Sequence, residues 1–206
     1  MAVPDLVTGL ILVGGSGQRL GSQDKALLRL AGEPLLAHVC RRLQPQTAGI
    51  LLGIHEGGAD RWVPWCQGCQ EVADERHPRQ GPLASLEAAL RVAPGDWLLS
   101  VPVDAPFIPL DLAQRLVAAL QGLEQPAIAV NRGRAHPVIA LWPRSLLAKI
   151  SRALDNNDRG LKYFLRHTPH VEVVFPDVVQ GVDPFFNINT PEDWQLASQV
   201  TMLTGG

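Results

Sequence analysis

The chain has 206 residues, 46% of them apolar and 18% charged, with a net charge of −2. One core burying roughly 70% of the unfolded chain's surface is feasible at that length without disulfide or metal staples, so a single α/β domain over residues 1–206 is expected. No apolar run approaches the roughly 20 residues of a membrane-spanning helix, and the near-neutral charge argues against a protein that coats nucleic acid by releasing counterions, so neither is expected as a partner.

The first strand is expected over Val7 to Val13, a nearly continuous apolar run that ends at Gly14-Gly15-Ser16-Gly17, the pattern of a strand buried on both faces. A helix is expected over Pro34 to Leu43, where residues 35, 36, 39, 40 and 43 recur at helical spacing and Pro34 suits the first turn. Ile50 to Ile54 and Gln70 to Ala73 read as strands, and Leu83 to Val92 as a helix bounded by Gly81-Pro82 and Pro94-Gly95. Trp97 to Val103 is the most apolar later strand and runs into Asp104-Ala105-Pro106. Leu110 to Leu120 is an amphipathic helix, Ala127 to Val130 and Pro137 to Leu141 are strands, and helical patterns return at Ser145 to Leu154 and Leu161 to Arg166. A late strand at Val171 to Phe175 precedes a helix opened by Thr190-Pro191-Glu192-Asp193, with Thr190 as N-cap, that runs to about Val200. This alternation predicts a doubly wound, mostly parallel, Rossmann-like α/β sheet that binds ligands beyond the carboxyl ends of its strands.

Two features meet at those ends. In residues 14–25, glycines let backbone N–H groups converge on an anion, and Arg19 and Lys25 add positive charge. Lys25 is one of only three lysines, with Lys149 and Lys162. No Gly-Lys-Ser/Thr follows, and Gly15, Gly17 and Gly21 miss the G-x-G-x-x-G spacing by one residue, so this is neither a Walker A nor a dinucleotide loop. Asp104 ends a buried strand, where a carboxylate suits a hydrated Mg²⁺ that neutralises a triphosphate; the competing reading is a turn in which Asp104 caps local amides.

Leu12-Val13-Gly14-Gly15, Arg19-Leu20-Gly21, Asp24-Lys25, Gly81-Pro82-Leu83-Ala84, Pro102-Val103-Asp104-Ala105-Pro106, His136-Pro137 and Asn187-Ile188-Asn189-Thr190-Pro191-Glu192 occur here in the order seen in one family. From about Leu10 to the last helix, the chain resembles the molybdenum cofactor guanylyltransferases of the nucleotidyltransferase superfamily. The resemblance implies transfer of GMP from Mg-GTP to the terminal phosphate of the molybdenum–molybdopterin cofactor, releasing pyrophosphate. It implies a nucleotide-binding part at about 7–105 and an acceptor-binding part at about 106–200. It further implies that the backbone of Leu12, Val13, Gly14, Gly15, Ser16 and Gly17 cradles the nucleotide, that Lys25 and Arg19 stabilise phosphate charge, and that Asp104 holds Mg²⁺. The attacking phosphate is already anionic near neutral pH, so positioning and charge neutralisation suffice and no general base is required. Asp74 matches an acidic position that contacts guanine or ribose; a carboxylate accepts from the guanine N1–H and N2–H₂ edge, although an ordinary turn acid reads the same way. His136, Asn187 and Asn189 fall in regions that lie toward the pterin acceptor and the metal, with Asn187 and Asn189 sharing one face if extended. Asn-x-Asn-Thr-Pro is equally a turn and helix-cap sequence.

The sequence departs from the family at two places. Gly53-Ile54-His55-Glu56 stands where Asn-x-Asn-Arg is common, with Gly53 at a nucleotide-contacting position, and Ala105 replaces an expected Thr near the metal. These departures keep open cytidylyl transfer to the same cofactor, nucleotidyl transfer to a sugar phosphate, and a non-catalytic nucleotide- or cofactor-binding partner protein. Trp65-Cys66-Gln67-Gly68-Cys69 invites a redox reading, which a following strand disfavours; Cys40 is expected in the core and Cys66 and Cys69 as incidental. Three cysteines and no basic n-region before Arg19 point to the cytoplasm, and the resemblance implies molybdoenzymes or their chaperones as recipients of the product.

Overall fold

The computed structural model describes residues 7–13, 24–54, 64–74, 76, 81–178 and 182–204. In chain order these form β1 (Val7–Leu12), β2 (Arg29–Leu30), β3 (Glu33–Pro34), α1 (Leu35–Leu43), β4 (Gly49–Ile54), β5 (Gln70–Ala73), α2 (Pro82–Val92) and β6 (Trp97–Pro102). There follow α3 (Leu112–Leu120), β7 (Ala127–Asn131), β8 (Arg134–Pro143), α4 (Leu147–Asp155), α5 (Leu161–Arg166), β9 (Val171–Val174) and α6 (Pro191–Thr204).

Among the described residues, seven strands make one sheet in the order β5-β4-β1-β6-β8-β7-β9, while β2 and β3 pair with each other. β1 lies between β4 and β6, parallel to both, and all six of its residues are buried. That is the physical reason for its unbroken apolar run. Alternate residues serve opposite faces. Val7 and Ile11 pack with Leu36, Val39 and Leu43 of α1 and with Leu112 and Leu116 of α3. Leu10 and Leu12 pack with Leu83, Leu86 and Leu90 of α2 and with Ile150 and Leu154 of α4. Helices thus cover both faces, as the doubly wound reading expects. A third cluster joins Leu30 and Leu35 to Phe107, Ile188, Ala197 and Val200, seating α6 beside the small hairpin.

Only β8 runs against the other six strands of the sheet. It returns from β7 through Arg132 and Gly133, both at positive φ (49° and 74°), and Asn131 pairs with Arg134 across this two-residue turn. Two consecutive left-handed residues match the twist of a tight hairpin. The reversal brings the beginning of β8, including His136, to the edge where the parallel strands end. At the opposite end of β8, the buried Trp142 indole donates to Ser100 Oγ (2.9 Å), which donates to Val138 O (2.7 Å), so the polar groups between β6 and β8 are satisfied.

Local boundaries differ where capping decides them. The helix expected from Leu110 begins at Leu112, and the one expected from Ser145 begins as a 3-10 turn over Arg144–Leu146. The α3 entrance is fastened by the buried Gln46: its Oε1 accepts from Ala113 N (2.9 Å) while its Nε2 donates to Arg42 O and Pro109 O. Thr190 caps α6 reciprocally, its Oγ1 accepting from Asp193 N (3.1 Å) and its own N donating to Asp193 Oδ2 (2.8 Å). The β2–β3 pair has no counterpart in the sequence reading, because two-residue strands carry no usable periodicity.

Candidate active site

The parallel strands β1, β4, β5 and β6 deliver their carboxyl ends to one edge, and β1 stands where the chain order reverses between β4 and β6. The edge is knitted by backbone bonds from Val13 N to Gly53 O (3.0 Å), Val103 N to Leu12 O (3.1 Å) and Asp74 N to Ile54 O (3.2 Å). Leu12, Val13, Gly53, Asp74 and Asp104 therefore occupy neighbouring positions at the sheet end. Gly14, Gly15, Ser16, Gly17 and Arg19 lie outside the described residues, as does His55.

Lys25 opens a 3-10 turn (Lys25–Leu27) whose amide at Ala26 is capped by the Asp24 carboxylate (3.3 Å). From there Lys25 Nζ donates to Asp104 Oδ2 and to Asn189 Oδ1, each at 2.5 Å. These residues are 79 and 164 positions away in the chain. Asp104 also anchors the last loop through its carbonyl, which accepts from Ile188 N (3.0 Å). The segment around Asn187 and Asn189 is an extended loop rather than a strand, yet it alternates as expected: Ile188 is buried while both asparagines are exposed. Asn189 reaches the lysine, and Asn189 Nδ2 donates to the Asn187 carbonyl (3.4 Å).

Asp104 uses one carboxylate oxygen for Lys25; its Oδ1 is buried and, among the described residues, has no hydrogen-bond partner. An orphaned anionic oxygen costs desolvation energy unless a ligand reaches it. A divalent cation meets that need with hard oxygen chemistry, so the donor set fits the expected metal.

Asp74 is similarly half-used. Its Oδ1 accepts from Arg76 N (2.9 Å), while Oδ2 is buried without a partner among the described residues and remains able to accept from a ligand. Arg76 is itself held by Glu87 of α2 through Nε (2.6 Å) and Nη2 (2.7 Å), and by Asp155 of α4 (2.7 Å). Glu87, 4% exposed, also accepts from Arg91 (2.7 Å) and Ser151 (2.6 Å). Hydrogen bonding from Arg76, then from Ser151 and Arg91, outweighs burial and holds the Glu87 carboxyl down at about 2. At Gly53 an added Cβ would meet Leu10 Cδ1 at 3.3 Å and Leu12 Cδ2 at 3.4 Å, so a larger residue there presses on the core of the α2 face.

His136 makes its own set of contacts. Its ring packs on Phe185 (5.1 Å between centroids), and Nε2 lies 3.2 Å from Asp183 Oδ2, an ion-pair distance without hydrogen-bond alignment. Burial lowers its pKa, more than the Asp183 charge raises it, with Arg134 lowering it further, so the imidazole is neutral at pH 7. Asp183, 47 positions away, has no sequence signal beyond an Asp-Pro turn and is absent from the sequence-derived site.

Residues 9–173 match the family described as the MobA-like NTP transferase domain. The chain is 39% identical over 209 residues to a molybdenum cofactor guanylyltransferase of Rhodopseudomonas palustris, covering 98% of this chain and 97% of that protein. It is also 39% identical to one from Rhizobium leguminosarum, covering 91% and 89%. Among solved structures it is similar to molybdopterin-guanine dinucleotide biosynthesis protein A of Archaeoglobus fulgidus (TM-score 0.77, 22% identity, 95% of this chain and 99% of that one). The fold is also shared with 2-C-methyl-D-erythritol 4-phosphate cytidylyltransferase of Thermus thermophilus (TM-score 0.68, 20% identity, 96% and 99%).

Proposed function

Because the chain belongs to the molybdenum cofactor guanylyltransferases of the MobA-like NTP transferase family, we infer that its sheet-edge site transfers GMP from GTP to the terminal phosphate of the molybdenum–molybdopterin cofactor. A phosphate oxygen of the acceptor attacks the α-phosphorus of GTP, the bond to the β-phosphate oxygen breaks, and pyrophosphate leaves. The observation that carries this reading is the convergence of Lys25, Asn189 and the half-used Asp104 carboxylate beside the ends of β1 and β6.

Transfer between phosphates demands charge neutralisation and alignment more than acid–base chemistry. Lys25 supplies a mobile cation, held between Asp104 and Asn189 until a triphosphate competes for it. Asp104 would hold Mg²⁺, which would supply Lewis-acid stabilisation of the phosphate oxygens. The backbone from Leu12 to Gly17 and Arg19 complete the phosphate cradle, with Gly53 beside the nucleotide. Asp74 Oδ2 accepts from the guanine edge, which selects against adenine and cytosine. Neutral His136, with Asn187 and Asn189, forms the acceptor side, so residues 7–105 serve the nucleotide and 106–200 the pterin. The enzyme works in the cytoplasm and hands its product to molybdoenzymes or their chaperones; among the described residues no helix is long and apolar enough to cross a membrane.

Pyrophosphate release with Mg²⁺ and the pterin cofactor tests the reading against GTP, CTP, ATP and UTP. Release with GTP well above the others is expected. Preference for CTP would overturn guanylyl transfer, and no release with any triphosphate would leave only a binding role.

A further inference from the structure

The three cysteines do not behave as the incidental residues that their spacing suggests. Cys66-Gln67-Gly68-Cys69 forms a tight turn in which Cys69 N donates to Cys66 O (3.3 Å) and Gly68 takes φ +77°. The left-handed glycine lets the chain reverse so that both sulfurs face one side, with Cα atoms 5.6 Å apart. Cys40, on α1, presents its sulfur to the same point, its Cα 6.0 Å from that of Cys66. All three Sγ atoms lie within 4.8 Å of one another.

Cys66 abuts both other sulfurs as a bonding partner, yet a sulfur forms only one disulfide. Any pairing leaves the third cysteine over, whereas one ion can engage all three. Zinc–thiolate bonds of about 2.3 Å place sulfurs roughly 3.8 Å apart, so metal binding would draw Cys40 Sγ and Cys69 Sγ back from Cys66 Sγ while all three stay inside the 4.8 Å that encloses them. Soft thiolates select a thiophilic metal and reject the Mg²⁺ suited to Asp104. Cys40 and Cys66 are 4% and 5% exposed, while Cys69 is half-buried and opens the cluster toward solvent. We propose that Cys40, Cys66 and Cys69 form a Zn²⁺ site, separate from the nucleotidyl-transfer centre, with water in the fourth position. The ion clamps the turn at 64–69 to α1. That turn leads straight into β5, the edge strand that ends at Ala73, so the clamp steadies the strand that leads into Asp74, the proposed guanine contact.

The test uses the full chain purified with a non-thiol reductant and no chelator. Elemental analysis should find one Zn²⁺ per chain that survives dialysis. Removing it and adding Co²⁺ should give a thiolate-to-cobalt charge-transfer band. Cys69→Ser, at the half-buried position, should keep the circular dichroism spectrum and weaken Zn²⁺ binding on the order of 100-fold. Intact mass lower by two hydrogens, marking one disulfide in metal-free protein, would overturn the proposal. So would three thiols that react freely with a disulfide reagent in protein showing no Co²⁺ band. Undiminished Zn²⁺ binding by the Cys40→Ala, Cys66→Ser, Cys69→Ser triple variant would place the ion elsewhere and likewise overturn it.

Discussion

Glu87→Gln removes a charge while keeping the side-chain volume, and it strikes the tie that holds Arg76, and with it the Asp74 turn, onto α2 and α4. The carboxyl sits at about 2 against an ordinary value of 4.5. At about 1.4 kcal/mol for each tenfold change in proton affinity, its ionised form contributes about 3 kcal/mol to folding. Arg76 keeps Asp155 as a partner and its side chain is 24% exposed, so the variant should lose about 2–3 kcal/mol at pH 7 rather than the full cost of a stranded buried charge. For a chain of this length that is a fall in Tm of about 4–12 °C. The sign follows from a depressed acid: the contribution is complete above pH 4.5 and fades as pH falls toward 2. Urea denaturation of wild type and variant between pH 7 and pH 2.5 measures this. The gap between them should narrow steadily below pH 4.5. A gap of constant size across the range would show that packing, not the charge of Glu87, had been lost, and would refute the reasoning.

Lys25→Ala should cut kcat about 100- to 1,000-fold in the pyrophosphate-release assay, while the circular dichroism spectrum stays that of wild type. Asp104→Asn should raise the divalent-metal concentration needed for half-maximal turnover; an unchanged metal requirement would remove Asp104 from the metal's ligands. Gly9→Ala should destabilise by about 1–3 kcal/mol in urea melts, since its Cβ would lie 2.9 Å from Cδ2 of the fully buried Leu43. For His136, burial lowers the pKa below 6.5, so the unfolded chain takes up a proton first and stability should fall as pH drops below 6.5. His136→Gln should flatten that slope, read from urea midpoints at pH 7 and pH 5.5.

Local sequence determined the elements whose signals are local. The unbroken apolar run at Val7 to Leu12 demanded a strand covered on both faces, and the heptad-like spacing in Leu35 to Leu43 demanded a helix with one buried stripe. Lys25 and Asp104 were legible as candidates for one site because a phosphate loop and a strand-end acid answer one chemical need, but the ion pair between them was not. Tertiary structure alone decided what joins positions far apart in the chain. Asn189 reaches Lys25 across 164 residues, Asp183 faces His136, and Glu87 holds the Asp74 turn through Arg76. Cys40 reads as an ordinary core residue because helical spacing explains its burial completely, and only the docking of the 64–69 turn against α1 shows it completing a three-sulfur cluster. Periodicity records which face of an element avoids water. It carries no record of which other element arrives there, since hydrophobic burial is non-directional and any apolar partner satisfies it, whereas hydrogen bonds and metal ligands require one partner at one distance.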